Sequence, residues 1–91
     1  MAIARVFDGK GSTKEQYDAL IEKMGFGEHA APGVVFHWAA PTPEGMHAVD
    51  VYESREAADR LVQENIGPAA AELGLPLPEI SEYEVHAILT P

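Results

Sequence analysis

An α+β sandwich with elements in the order βαββαβ is the fold class this sequence predicts, and three observations carry it. Four short apolar segments are bounded by Gly, Pro and Asp clusters, as half-buried strands are. Two capped stretches of helical periodicity lie between them. The two halves also share a pattern: Thr13-Lys14-Glu15, Asp18 and Leu20-Ile21 recur as Ser54-Arg55-Glu56, Asp59 and Leu61-Val62, offset by about 41 residues. Two similar βαβ halves indicate a ferredoxin-like sandwich, a four-stranded antiparallel sheet with both helices on one face.

The first strand is read over residues 2–7, ended by the turn cluster Asp8-Gly9-Lys10-Gly11. Ser12/Glu15 and Thr13/Gln16 both have capping-box spacing, and Tyr17, Leu20, Ile21 and Met24 form the stripe of the helix that follows, stopped by Gly25 or Gly27. A linker rich in small residues leads to the second strand, residues 34–40, and Pro41-Thr42-Pro43-Glu44-Gly45 turns the chain into the third, residues 46–52. Glu53-Ser54-Arg55-Glu56 opens the second helix, whose stripe is Ala58, Leu61, Val62 and Ile66. Pro68 is expected to end it and to start a short helix closed by Gly74. The last strand is read over residues 80–89.

Ninety-one residues form a single domain, residues 1–91, small enough that association with a partner is expected. Fifteen acidic residues against six basic ones give a net charge of −9, which leaves no cationic surplus for nucleic acid or an anionic membrane. Cysteine is absent, so disulfides, thiolate metal sites and a Cys nucleophile are excluded. Arg5 arrives too early for a secretory apolar segment and no window is long enough to span a bilayer, so a cytoplasmic protein is expected.

Two helices cover one sheet face, and the other face needs a partner. Phe36, Trp38, Val49, Val51, Tyr83, Val85, Ala87 and Leu89 are assigned to the helix side by their apolar character. That leaves Val35, His37, Met46, Ala48, Asp50, Tyr52, Glu84, His86 and Ile88 on the uncovered face. A turn over residues 42–45 places Pro41 opposite Met46, Ala39 opposite Ala48, His37 opposite Asp50 and Val35 opposite Tyr52. His37 and Asp50 are therefore expected as cross-strand neighbours within hydrogen-bonding reach. A face so mixed is expected to pack on a second copy around a partly wet cavity.

Gly33-Val34-Val35-Phe36-His37, Pro41-Thr42, and Val49-Asp50-Val51-Tyr52-Glu53-Ser54-Arg55-Glu56-Ala57 resemble the dimeric α/β-barrel superfamily of antibiotic-biosynthesis monooxygenases. The resemblance spans nearly the whole chain and implies a homodimeric barrel. It also implies an activity among cofactor-free monooxygenation, polyketide cyclisation and haem degradation. The monooxygenase pattern resembles an Asn and a Trp four apart on strand three, where this sequence has Ala48 and Tyr52. No amide remains at position 48 to hold an oxygenated intermediate.

The expected chemistry is acid–base. Asp50 would fix the tautomer of His37 and raise its basicity, leaving the free ring nitrogen to take a substrate proton. His86, beside Glu84, and Tyr52 are the candidate acids that place or protonate a substrate oxygen. Val35, Ala48, Glu84, Ile88 and Arg5 are expected to line the cavity, with Arg5 able to neutralise a carboxylate or hold an anion. His37, Asp50 and His86 contain the elements of a two-His-one-carboxylate site, but a His and Asp already paired across a hairpin satisfy each other, so no metal is expected. No cofactor is expected either, and the partners expected are a second copy and a small hydrophobic or aromatic ligand. The alternative is a non-catalytic dimeric binding protein of the same fold.

Overall fold

The computed structural model describes residues 1–91. Strand β1 spans Ile3–Lys10 and helix α1 spans Lys14–Met24. Strands β2 (Val34–Thr42) and β3 (Gly45–Tyr52) form a hairpin. Helix α2 (Arg55–Leu61) passes through a π-helical turn, Val62–Ile66, into α3 (Gly67–Leu73), and β4 is Glu79–Glu84. The sheet order is β2-β3-β1-β4, all antiparallel, which is the ferredoxin-like arrangement.

Local chemistry fixes the helix ends. The Thr13 hydroxyl accepts from the Gln16 N–H while the Gln16 side chain accepts from the Thr13 N–H, a complete capping box, and Gly25 closes α1 in the left-handed region. Ser54 caps α2 by accepting from the Ala57 N–H. Gly33 has φ +84°, and a Cβ there would meet the Ala57 Cβ at 2.7 Å, so only glycine lets the approach to β2 pass this close to α2.

The short helix that the sequence places at Pro68 is α3, closed by Gly74 in the left-handed region, but Pro68 does not interrupt the helical turns that lead into it. The Gly67 N–H reaches back to the Val62 carbonyl, and this wider turn absorbs the donor that Pro68 lacks. The last strand is also shorter than expected. Its partner β1 begins at Ile3, opposite Glu84, and after one further bond from the Val85 N–H to the Ala2 carbonyl no ladder remains for residues 86–89.

Between the hairpin strands Pro41 faces Met46, Ala39 faces Ala48 and His37 faces Asp50, as the turn length requires. Tyr52 pairs with Val34 rather than Val35, because Val35 is the extra residue of a β-bulge between Val34 and Phe36.

The face assignment is reversed. Ile3 and Tyr52 are buried under the helices, packing with Ala58 and Leu61 and flanked by Phe26, Ala31, Val34 and Ile66, and Asp50 is buried on the same face. Residues of the opposite parity point outward. Phe36, Trp38 and Tyr83 are 55%, 42% and 59% exposed, beside Ala4, Val6, Val49 and Val51 in register on the same face. Trp38 is therefore not core packing beneath the helices; it lies on the open face against the His47 ring, whose Nδ1 is 2.6 Å from Asp8 Oδ1. Apolarity marks a face that needs covering, and here the outward face is the more apolar of the two.

Candidate active site

The core sits beneath α2 and α3. Helix α1 contributes no buried residue, because it stands off the sheet as the roof of a cavity of about 200 Å³. Phe7, Ala48 and His37 form the sheet side of the cavity, and Tyr17, Leu20 and Met24 project from α1. Residues 75–78, Leu-Pro-Leu-Pro, complete the lining.

One wall holds a continuous chain of hydrogen bonds. The Tyr52 hydroxyl donates to Asp50 Oδ2 at 2.6 Å. Asp50 Oδ1 is in close contact with His37 Nδ1, and His37 Nε2 lies 2.5 Å from the Tyr17 hydroxyl. With the carboxylate ionised and the imidazole neutral, one proton arrangement satisfies every contact: Nδ1–H donates to Asp50 and Nε2 accepts from Tyr17. Asp50 is 5% exposed and Tyr52 fully buried, so the relay runs from the core outward to the cavity. Alternation of β3 sets this order, because Asp50 and Tyr52 are two residues apart on the covered face.

Burial and the hydrogen bond to Asp50 push the Tyr52 phenol far above the ordinary tyrosine range. Burial also raises Tyr17, helped by the negative charges of Asp50 and Asp18. Both phenols are held protonated at neutral pH.

The remaining predicted site residues lie elsewhere. Tyr52 is beneath the cavity rather than on its wall, with its hydroxyl turned to Asp50. Arg5 faces the helices but is taken up by a salt-bridge cluster: Nη2 donates to Asp59 Oδ1 at 2.7 Å and Nε to Glu82 Oε1 at 3.0 Å, while Arg55 Nε donates to Glu82 Oε2 at 3.1 Å. Burial opposes the charge on Arg5, but the bonds to Asp59 and Glu82 outweigh it and hold its pKa above the ordinary value. The cluster ties β1, β4 and α2 together rather than holding an anion.

Val35 protrudes at the bulge and is 53% exposed. Glu84 is exposed at the end of β4, and His86 and Ile88 lie exposed beyond it, away from the cavity. Of the predicted lining set, Ala48 is on the wall. His86 is thus separated from His37 and Asp50, and no three metal-ligating side chains cluster anywhere in the fold.

Tyr17 stands in the apolar stripe of α1, yet it completes the relay. The signal was present in the sequence: a phenol on an otherwise aliphatic stripe needs a polar partner when that stripe packs inward.

No family model and no curated protein matches the sequence. Solved structures do. One from Chloroflexus aurantiacus, which carries the name antibiotic biosynthesis monooxygenase, is similar with a TM-score of 0.69 at 20% identity, over 99% of this chain and 98% of that one. SnoaB from Streptomyces nogalater, a cofactor-independent oxygenase, is similar with a TM-score of 0.62 at 17% identity, over 99% and 96% of the two chains. A mutant of SnoaB gives 0.63 at 21%, with the same coverage. This chain has the fold of the antibiotic-biosynthesis-monooxygenase-like proteins. Against the monooxygenase-like pattern that the sequence resembles, position 48 supplies a methyl group to the cavity wall in place of an amide. Position 52 keeps an aromatic ring but spends its hydroxyl on Asp50.

Proposed function

We propose that this protein is a cofactor-independent enzyme acting on a small aromatic or polyketide-like molecule by His37–Asp50 acid–base chemistry, and that it works as a homodimer. The observation that carries the reading is the Asp50–His37 pair at the wall of an otherwise apolar cavity. Asp50 holds the imidazole with Nε2 toward the cavity and stabilises the imidazolium that forms when His37 takes a proton. Tyr52 holds Asp50 from below and keeps both carboxylate oxygens occupied. Phe7, Leu20 and Met24 hold the ring system by apolar contact.

Removing a proton from a phenol or an activated methylene leaves an electron-rich anion. Such an anion either reacts with dioxygen, which converts the methylene to a carbonyl and releases water, or attacks an internal carbonyl in an aldol-type ring closure. The dimer forms through the open sheet face, where Phe36, Trp38 and Tyr83 lie exposed. Each protomer then keeps its own cavity on the helix side.

Turnover on panels of anthrone-type and linear polyketide substrates tests the reading, with His37→Ala and Asp50→Asn as controls. Activity in the wild type that both substitutions abolish supports it. A second reading, a non-catalytic binding protein, is favoured by the hydroxyl of Tyr17 already occupying His37 Nε2. Inactivity of the wild type on both panels would establish that alternative.

A further inference from the structure

The ring nitrogen on which acid–base chemistry depends faces the cavity but already has a hydrogen-bond partner. Nδ1 of His37 is committed to Asp50, and the Tyr17 hydroxyl lies 2.5 Å from Nε2, with the two rings parallel to within 3°. Tyr17 and His37 both line the cavity, so a substrate that approaches Nε2 finds its acceptor position already held by the Tyr17 oxygen.

We propose that Tyr17 is the catalytic residue that contacts substrate, passing its proton to His37, and that the substrate is an uncharged, compact ring compound with one weakly acidic hydroxyl or enolisable carbonyl. The proposal rests on the acid–base reading above. The Tyr17 oxygen donates its one proton to His37 Nε2 and keeps lone pairs to accept another. In the step, the substrate O–H bond breaks and an O–H bond forms on Tyr17 as Tyr17's own O–H breaks and an N–H forms on Nε2. The electron pair of the broken bond stays on the substrate oxygen. The positive charge appears on the imidazolium beside the Asp50 carboxylate, and Tyr17 ends neutral. A concerted hand-over fits a phenol that burial and nearby acidic groups hold protonated, since Tyr17 never stands alone as an anion.

The cavity wall specifies the rest of the substrate. Its ionisable groups are Tyr17, His29, His37 and Asp50, with neither Lys nor Arg among them. A carboxylate or phosphate buried there would lie near Asp50 with no cation to offset it. The polar atoms of the relay meet where Tyr17 reaches His37, whereas Leu20, Met24, Phe26 and Leu61 offer only hydrocarbon. The cavity of about 200 Å³ is somewhat larger than the ~150 Å³ that encloses a benzene in an apolar protein interior. One or two fused rings therefore fit inside.

Three probes with one ring system test this: 1-naphthol, 1-methoxynaphthalene and 1-naphthoate, bound to the full-length wild type and to Tyr17→Phe and followed by calorimetry. In the wild type, 1-naphthol is expected to bind about tenfold more tightly than the ether, near the upper limit for one net hydrogen bond. The naphthoate is expected to bind at least tenfold more weakly than 1-naphthol. Tyr17→Phe keeps the ring and should erase the difference between naphthol and ether. On any substrate the wild type turns over, it should lower the rate about 100-fold, within the usual range for an acid–base group. Equal affinities for the three probes overturn the substrate class. Unchanged naphthol preference in Tyr17→Phe, or turnover that holds steady or rises as Nε2 is uncovered, overturns the role of Tyr17. Because binding is read without turnover, failure of the enzymatic reading and failure of this one are distinguishable.

Discussion

Replacing Tyr52 with Phe removes one oxygen from the centre of the molecule and leaves the ring packing in place. Tyr52 is fully buried and its hydroxyl donates at 2.6 Å to Asp50, which is 5% exposed. A hydrogen bond to a charged group contributes roughly 1.5–3 kcal/mol, and here its loss leaves a buried carboxylate oxygen that water does not reach. A destabilisation of about 2 kcal/mol is therefore expected. For a domain of this size, that is a fall in Tm of about 8–16 °C. Far-UV circular dichroism at fixed protein concentration measures it, since dimerisation would make Tm depend on concentration.

The same residue gives a second signature at high pH. Burial first, then the bond to Asp50, raises the Tyr52 phenol above its unfolded value, so the folded state holds its proton longer than the unfolded state does. That contribution is fully present below the unfolded pKa of about 10 and is lost as the pH rises beyond it. Wild-type stability should thus fall more steeply above pH 10 than that of Tyr52→Phe. Equal melting temperatures, or alkaline limbs that superimpose, would refute the assignment of the Tyr52–Asp50 bond as a structural support of the site.

Asp50→Asn should lower turnover at least about 100-fold, because the amide removes the charge that stabilises the imidazolium; steady-state kinetics on an active substrate reads this directly. Trp38→Glu places a charge on the open face and should convert a dimer to a monomer by light scattering, with naphthol binding retained because the cavity is built within one chain. Glu82, bonded to Arg5 and Arg55, has its pKa lowered, so its stabilisation is present above the ordinary carboxylate range and lost as pH falls through the folded value. Glu82→Gln should therefore flatten the acid limb of the stability curve below about pH 4.5. Gly33→Ala, with φ +84° and the Ala57 Cβ in the way, should cost about 1–3 kcal/mol in urea unfolding.

The elements and the hairpin register were legible because short-range rules fix them. A two-residue turn between Thr42 and Gly45 sets which residues face each other, and His37 opposite Asp50 follows by counting. The bulge at Val35 was not legible, since nothing in Val34-Val35-Phe36 distinguishes the inserted residue by type. The covered face was misread for a different reason. Hydrophobicity reports how strongly a surface seeks cover, not whether the cover comes from the same chain. Phe36, Trp38, Val49 and Val51 outweighed the polar parity of His37 and Asp50, although polar groups also belong beneath helices when a cavity and a phenol on α1 receive them. The better signal was on the helix: Tyr17 needed a polar partner across the gap, and His37 is that partner.

The two faces of one sheet therefore carry different constraints. The inner face tolerates small and polar residues (Ala48, Asp50, His37) because α1 stands off it, and the space left becomes the cavity. The outer face has no helix, so its apolar strip stays exposed within a single chain, with polar pairs only toward one end, Asp8 with His47 beside Trp38 and Lys10 with Glu79. Only eight of 91 residues are buried within the single chain, a thin core for a domain of this size. Covering the strip with a second copy adds apolar burial without touching the relay, because every member from Tyr52 to Tyr17 belongs to one chain and lies on the other side of the sheet. The proposed assembly and the proposed chemistry should thereby be separable by substitution: Trp38→Glu is expected to act on the first and Tyr17→Phe on the second.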